Sequence, residues 1–154
     1  MTEQEIKEIM QMLEAQGLRP MLCDTPVPYY DNGVRCGRPT GMGDIVQGEY
    51  QMLPSDLVRR DSVVIIRAEG DSMIDAGMDE GDIIIVDRAV DPYNNCKAVC
   101  YIDGEYTVKR IEIGDGCARL MPANENNTSY KPIEVTPENN FMIWGVVTWV
   151  IKKM

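Results

Sequence analysis

The chain has 154 residues, of which 44% are hydrophobic and 26% are charged, and this composition predicts one folded domain with at most a modest appendage. Its formal net charge of −10 opposes binding to a phosphate backbone, so we expect no direct, sequence-specific contact with DNA. Histidine is absent, which excludes the Ser-His-Asp triad, the Cys-His dyad and metal sites that need imidazole.

The apolar stretches are all much shorter than the roughly 20 residues that a membrane-spanning helix needs. No positively charged leader precedes an apolar run at the N-terminus, so we expect no membrane insertion, no secretion and a cytoplasmic location. The cysteines are odd in number and form no CxxC pair, which predicts neither a disulfide framework nor a zinc site. We expect no metal and no cofactor.

The first predicted element is a helix over residues 2–17. Thr2 can cap this helix with Glu5 completing a capping box, and Gly17 is a plausible end. Apolar residues recur at helical spacing: Ile6, Ile9, Met10 and Leu13. The apolar face could serve a coiled coil or a partner, but packing on the chain's own domain or on a dimer mate is the preferred interpretation.

Residues 19–48 are rich in Pro and Gly and have little periodicity, which predicts an extended, flexible arm. Residues 51–57 predict a turn of helix, and short strands bounded by turns follow. We therefore divide the chain into a helix and arm over residues 1–50 and a mostly β domain over residues 51–154. The predicted strands are residues 63–68, 82–87, 97–102, 105–113, 118–121, 131–135 and 141–151, with a hairpin across Asp103-Gly104.

Ser72 follows a predicted strand in the motif Gly70-Asp71-Ser72-Met73. A Gly at such a point allows a tight turn that exposes a serine hydroxyl and directs backbone N–H groups outward. On this pattern alone, Ser72 is more simply interpreted as a turn residue or a helix cap.

Lys109 lies on the second strand of the predicted hairpin, where alternation puts it on one face with Thr107 and Ile111. If that face is buried, the pKa of Lys109 falls, and a neutral amine can accept a proton from a serine hydroxyl. The alternative is a solvated lysine whose methylene groups lie along the sheet, which this strand alone favours.

Several ordered motifs resemble the LexA/UmuD family of self-cleaving peptidases, over about residues 67–150. The matching stretches are Gly70-Asp71-Ser72-Met73, Gly77, residues 81–87, Gly104-Glu105-Tyr106-Thr107-Val108-Lys109-Arg110, residues 120–124, residues 130–133 and Gly145-Val146-Val147. The resemblance implies the β-clip catalytic fold that this family shares with signal peptidases. It also implies that Ser72 is the nucleophile, that Lys109 is the general base, and that the backbone N–H groups of Asp71 and Ser72 stabilise the oxyanion.

Family members cut themselves at a small residue followed by glycine, upstream of the catalytic domain. Cys36-Gly37 offers such a bond, and 36 residues from Cys36 to Ser72 are ample for the arm to fold back. Thr40-Gly41 and Gly41-Met42 are weaker alternatives, and Cys36 could instead be a redox-sensitive thiol or a chance match. The Cys-Gly bond favours an UmuD-like protein, because LexA-like repressors usually carry Ala-Gly.

The resemblance implies a homodimer, cleavage stimulated by the RecA filament on single-stranded DNA, and a processed form that joins an error-prone translesion DNA polymerase. The helix over residues 2–17 falls short of a helix-turn-helix domain. The alternatives are a LexA- or phage-type transcriptional regulator without a DNA-binding domain, and a catalytically inactive interaction module on the same fold. A signal peptidase would need a membrane anchor, which the sequence does not predict.

Overall fold

The computed structural model describes the backbone of residues 1–35, 40–41, 47–58 and 61–154, and the side chains of residues 1–29, 50–58 and 61–154. No helix within those ranges is long and apolar enough to cross a membrane. The secondary structure is mostly β, which confirms the predicted fold class.

The predicted N-terminal helix is present as α1, Glu3–Ala15. Its capping box is also confirmed, because the Glu5 backbone N–H donates to Thr2 Oγ1 at 3.2 Å and the Thr2 backbone N donates to Glu5 Oε2 at 2.7 Å. No residue of α1 is buried in the single chain, so its apolar face is not packed into its own domain, whereas packing on a dimer mate stays a prediction.

One mixed sheet contains all the strands of the described residues. The strands are β1 Cys23–Arg35, β2 Thr40–Gly41, β3 Gln47–Pro54, β4 Val63–Glu69, β5 Ile83–Asp87, β6 Lys97–Ile102, β7 Glu105–Gly114, β8 Cys117–Met121, β9 Ile133–Val135 and β10 Phe141–Ile151. Their order across the sheet is β3-β1-β4-β5-β10-β6-β7-β8-β9, with β2 paired to β7. The seven strands predicted beyond residue 60 are therefore present, each with bounds within two residues of the prediction.

The core lies on both sides of β4, whose apolar run is continuous rather than alternating. Val63 and Ile65 pack into one buried cluster with Val27 and Ile85, whereas Ile66 packs on the opposite face, against Met73 and Val108 among others. A strand covered on both faces needs apolar residues at successive positions, which explains the sequence Val-Val-Ile-Ile.

The β6–β7 hairpin fixes the face on which Lys109 points. Asp103 and Gly104 have φ values of 49° and 92°, as a two-residue turn of this hand requires. The register pairs Ala98 with Lys109 and Cys100 with Thr107. Lys109 and Thr107 therefore share the face of β7 that also carries buried Ile111.

Two sequence predictions need correction. Residues 51–54 belong to β3, and only Ser55–Leu57 forms a short 3-10 turn, so the predicted helical turn over residues 51–57 is half wrong. Much of the predicted arm is strand β1, which pairs with β3 and β4, and the expected change of texture at residue 50 falls inside β3.

Candidate functional site

Ser72 lies in the turn that leaves β4. Gly70 has a φ of 82°, a conformation that favours glycine, and it turns the chain away from the sheet immediately after Glu69. A short 3-10 turn over Ile74–Ala76 follows and ends at Gly77. The Ser72 side chain is 0% exposed, so its hydroxyl faces the interior of the protein rather than solvent.

Lys109 extends from the middle of β7 towards this turn. Its side chain is 2% exposed, and its Nζ lies 3.0 Å from Ser72 Oγ. The structure therefore brings together two residues that are 37 positions apart in the sequence. Both were singled out by sequence analysis.

The Lys109 amine also forms hydrogen bonds with oxygen atoms of its own strand. Nζ donates to Thr107 Oγ1 at 2.7 Å and to the Val108 carbonyl oxygen at 3.2 Å. A neutral amine has two N–H groups and one lone pair. In its ammonium form Lys109 can also donate to Ser72 Oγ, and in its neutral form its lone pair can instead accept the proton of the Ser72 hydroxyl.

The neighbouring strand β6 places a buried thiol close to the same amine. Burial is the main cause that raises the pKa of Cys100 to about 12, and Cys96 raises it further, whereas the positive charge of a protonated Lys109 lowers it. Cys100 is thus a neutral thiol at physiological pH, and it packs as a small hydrophobic side chain. Cys96 is buried too, whereas Cys23 and Cys117 are exposed.

A loop between β8 and β9 packs against the Ser72 turn. The Asn124 amide Nδ2 donates to the Asp71 carbonyl oxygen at 2.9 Å, and the Tyr130 hydroxyl donates to Asp71 Oδ1. The Ala123 backbone N–H donates to the Ser72 carbonyl oxygen at 2.5 Å. Asn124 and Tyr130 belong to stretches that match the family pattern, but no role was predicted for either residue, because only the folded chain brings them to this turn.

The predicted cleavage site, Cys36-Gly37, lies outside the described residues. Its described flanks pair with the two strands that carry the site. Arg35 of β1 is the partner of Glu69 in β4, and Thr40 of β2 is the partner of Tyr106 in β7. Glu69 precedes Ser72 by three residues, and Tyr106 precedes Lys109 by three.

No three His, Cys, Asp or Glu side chains converge on a possible metal position within the described part of the chain. The groups at hand are a hydroxyl, an amine and backbone amides. Such a set can transfer a proton and stabilise an oxyanion during acyl transfer.

Comparison with known proteins agrees with this chemistry and with the predicted β-clip fold. A family model described as Peptidase S24-like matches residues 28–148. The chain is 34% identical over 135 residues to LexA repressor 2 of Pseudomonas putida, which is 88% of this chain and 63% of that protein. It is 35% identical over 119 residues to the LexA repressor of Stenotrophomonas maltophilia, 77% of this chain and 54% of that protein. It is 32% identical over 126 residues to protein ImpA of Salmonella typhimurium, 82% of this chain and 83% of that protein.

Proposed function

Because the chain belongs to the Peptidase S24-like family, we propose that it is a serine peptidase that cleaves its own chain, with Ser72 as nucleophile and Lys109 as general base. The observation that carries this proposal is the 3.0 Å contact between Lys109 Nζ and Ser72 Oγ. Both side chains are buried, and burial disfavours the charged ammonium form of the lysine. A neutral amine at this distance is within reach of the hydroxyl proton.

The reaction is acyl transfer in two stages. The neutral Lys109 amine takes the Ser72 proton, and Oγ attacks the carbonyl carbon of Cys36. The tetrahedral intermediate collapses, the bond to the Gly37 nitrogen breaks, and the Lys109 ammonium returns its proton to the leaving amine. A water molecule, deprotonated by the same amine, then attacks the ester carbonyl, and the Lys109 ammonium returns that proton to the departing Ser72 Oγ. The products are the C-terminal carboxyl group of Cys36, which ionises in solvent, and the regenerated Ser72 hydroxyl and neutral amine.

The negative charge that forms on the Cys36 carbonyl oxygen must be stabilised by hydrogen-bond donors. We assign this role to the backbone N–H groups of Asp71 and Ser72, at the turn created by Gly70. Fixed backbone donors of this kind contribute strongly to acyl transfer, because they are already oriented before the charge develops.

The pairing of the arm supports Cys36-Gly37 as the bond that is cut. Four residues separate Arg35, paired with β4, from Thr40, paired with β7. Those two strands carry the Ser72 turn and Lys109. Because the proposed substrate bond belongs to the same chain as the nucleophile, the reaction gains from a high effective concentration.

Self-cleavage is tested by incubating the full chain at pH about 9 to 10, where a lysine amine is increasingly deprotonated. We expect a fragment that begins at Gly37, and no such fragment from Ser72→Ala or Lys109→Ala. The matched controls are Ser55→Ala, at an exposed serine, and Lys97→Ala, on the adjacent strand β6; both should cleave as the wild type does. Cleavage that persists in Ser72→Ala would refute the proposal.

In the cell, we propose a role in the SOS response to DNA damage, in the cytoplasm. The uncleaved arm responds to the RecA filament on single-stranded DNA, which shifts the population towards the form ready for cleavage. The processed protein then acts as an accessory subunit of an error-prone translesion DNA polymerase. The acidic charge and the Cys-Gly bond favour this role over direct DNA binding.

Two measurements test this role. RecA, single-stranded DNA and a nucleotide cofactor, added together at neutral pH, should accelerate cleavage of the wild-type chain and leave Ser72→Ala intact. The protein obtained by self-cleavage should retain a translesion polymerase subunit in a pull-down, and the uncleaved Ser72→Ala chain should retain less. Equal retention by both would count against a role for processing.

We also propose a homodimer that uses the C-terminal strand. β10 exposes three large apolar side chains, Met142, Trp149 and Ile151, of which Trp149 is 50% exposed. Burying such side chains against a second copy would stabilise a symmetric pair. Sedimentation analysis should give twice the mass of one chain, and Trp149→Glu should shift the equilibrium towards the monomer.

A second candidate function is transcriptional regulation, which the similarity to two LexA repressors favours. The chain spans 63% and 54% of those proteins, so their activity as repressors is not transferred to it directly. Specific retention of promoter DNA by the uncleaved chain, lost after cleavage, would support regulation over the polymerase role.

A further inference from the structure

The peptide group between Asp71 and Ser72 is fixed by hydrogen bonds to its carbonyl oxygen. Its carbonyl oxygen accepts from the Asn124 amide at 2.9 Å and, more weakly, from the Ile74 backbone N–H at 3.3 Å. In a trans peptide, the carbonyl and the N–H of the same planar unit point in opposite directions. The donors that hold the Asp71 carbonyl therefore also fix the direction of the Ser72 N–H.

From this geometry we infer that Asn124 is a positioning residue for the oxyanion site: its amide orients the Asp71-Ser72 peptide so that the Ser72 N–H faces the developing charge. This inference rests on the proposed self-cleavage. Asn124 contacts neither the nucleophilic hydroxyl nor the base, so it acts through the backbone.

The loop that carries Asn124 is well suited to this task because it is joined to the turn at several other points. Ala123 forms two backbone bonds, accepting from the Asp75 N–H at 2.7 Å and donating to the Ser72 carbonyl at 2.5 Å. The Glu125 N–H donates to Asp75 Oδ2 at 2.6 Å. Tyr130 holds the Asp71 carboxylate from the far end of the loop. The Asn124 amide is thus presented by a segment already fixed relative to the turn.

The inference predicts a particular kinetic signature. Loss of the Asn124 amide leaves the base untouched but lets the Ser72 N–H reorient, so the rate falls equally at every pH. Removing an oxyanion donor outright costs about 100- to 1000-fold, and a donor that is merely less well oriented should cost less, about tenfold. The pH midpoint of cleavage, which reports the base, should stay where it is in the wild type.

The test measures the rate of self-cleavage of the full chain from pH 7 to pH 10.5. Asn124→Leu removes the amide at similar size, and Asn124→Ala serves if the leucine does not fold, as judged by thermal unfolding. Asn94→Leu is the matched control, because Asn94 contacts the backbone of Ile113 at the distant end of β7. We expect about tenfold slower cleavage only in the Asn124 variants, with an unchanged midpoint. When an Asn124 variant is combined with Ser72→Ala, the NMR resonance of the backbone amide of residue 72 should also shift relative to Ser72→Ala alone.

The outcomes separate the two proposals. A wild-type chain without Ser72-dependent cleavage overturns the proposed function and this inference with it. Normal wild-type cleavage, with the folded Asn124 variants within twofold of it, overturns the inference alone. A shifted pH midpoint at an unchanged maximal rate also overturns it, because that result would connect Asn124 to the base instead of the oxyanion.

Discussion

The amine of Lys109 lies closer to the hydroxyl of Thr107 than to that of Ser72, with Nζ to oxygen distances of 2.7 Å and 3.0 Å. Thr107 and Lys109 are two residues apart on β7, so strand alternation places both side chains on one buried face. Thr107 is 0% exposed and is therefore a fixed partner for the amine. Its hydroxyl oxygen accepts one N–H group of the Lys109 amine.

Thr107→Val tests this arrangement, because valine has nearly the same shape without the hydroxyl. We expect self-cleavage at its high-pH maximum to slow by about fivefold, since the lost hydrogen bond, which holds the amine in place, contributes about 1 kcal/mol. The pH midpoint should move downward, because the lost acceptor stabilised the ammonium more than the neutral amine. Cleavage rates from pH 7 to pH 10.5 give both quantities.

Thr148→Val is the control for this substitution. Its hydroxyl also donates within the sheet, to the Ile85 carbonyl oxygen at 3.2 Å, but it lies on β10 and not beside the amine. It should leave the rate and the midpoint unchanged. An upward shift of the midpoint in Thr107→Val would show that the hydroxyl does not act as an acceptor for Lys109.

Gly145 is predicted to be required by close packing between β10 and β5. A Cβ atom at this position would lie 2.5 Å from Val86 Cγ1 and 3.5 Å from the Asp87 carbonyl oxygen. Val86 is 0% exposed and has little room to move. Gly145→Ala should therefore lower the free energy of unfolding by about 1–3 kcal/mol, measured by urea denaturation.

Gly114→Ala provides the comparison for Gly145→Ala. Its Cβ would meet only the end of the Cys117 side chain, at 3.2 Å, with the Cys117 carbonyl oxygen at 4.0 Å. The Cys117 side chain is exposed and can move aside. Gly114→Ala should cost clearly less stability, and equal losses at the two glycines would contradict the packing argument.

Local signals in the sequence were sufficient for the helix cap and for the β6–β7 hairpin. The capping box and the hairpin turn each depend on residues close together in the sequence, Thr2 with Glu5 and Asp103 with Gly104. Both could therefore be predicted without knowledge of the tertiary structure. The proximity of Ser72 to Lys109 could be predicted only from the family resemblance, because no periodicity relates residues 37 positions apart. The contacts of Asn124 with the nucleophile turn arise from tertiary packing alone.

Strand β1 lies in the segment that was predicted to be an arm, and its prolines explain why it was not predicted as part of the sheet. Pro26 and Pro28 argue against a central strand, because proline cannot donate to a neighbour. Both face β3, at Met52 and Tyr50, whereas pairing with β4 begins only at Tyr29. The prolines thus occupy the part of β1 that pairs on one side, and a sequence does not reveal on which side a strand will be paired.

The cysteines should differ sharply in reactivity in the native chain. Alkylation requires the thiolate, and burial both blocks access and, for Cys100, raises the pKa to about 12. Cys23 and Cys117 are exposed. Brief treatment with iodoacetamide at pH 8, followed by peptide mapping, should modify Cys23 and Cys117 and leave Cys96 and Cys100 unmodified until the protein is denatured. Rapid native labelling of Cys100 would contradict its burial.

The raised pKa of Cys100 should also make stability fall at high pH. In the unfolded chain this thiol loses its proton near the ordinary pKa of 9.0, whereas in the folded protein it keeps the proton until about pH 12. Its contribution is fully present below pH 9 and is lost as the pH rises towards 12, by about 1.4 kcal/mol for each pH unit. Cys100→Ala removes this dependence, so its stability should approach that of the unsubstituted chain as the pH increases.

Urea unfolding at pH 8, 9.5 and 11, in a Ser72→Ala background that prevents cleavage, measures this difference. Cys117→Ala, at an exposed cysteine, is the control substitution. If the gap between Cys100→Ala and its parent is also constant from pH 8 to pH 11, the thiol is not protected by burial. The proposed self-cleavage would also be fastest in this pH range, so the Ser72→Ala background is needed at all three pH values.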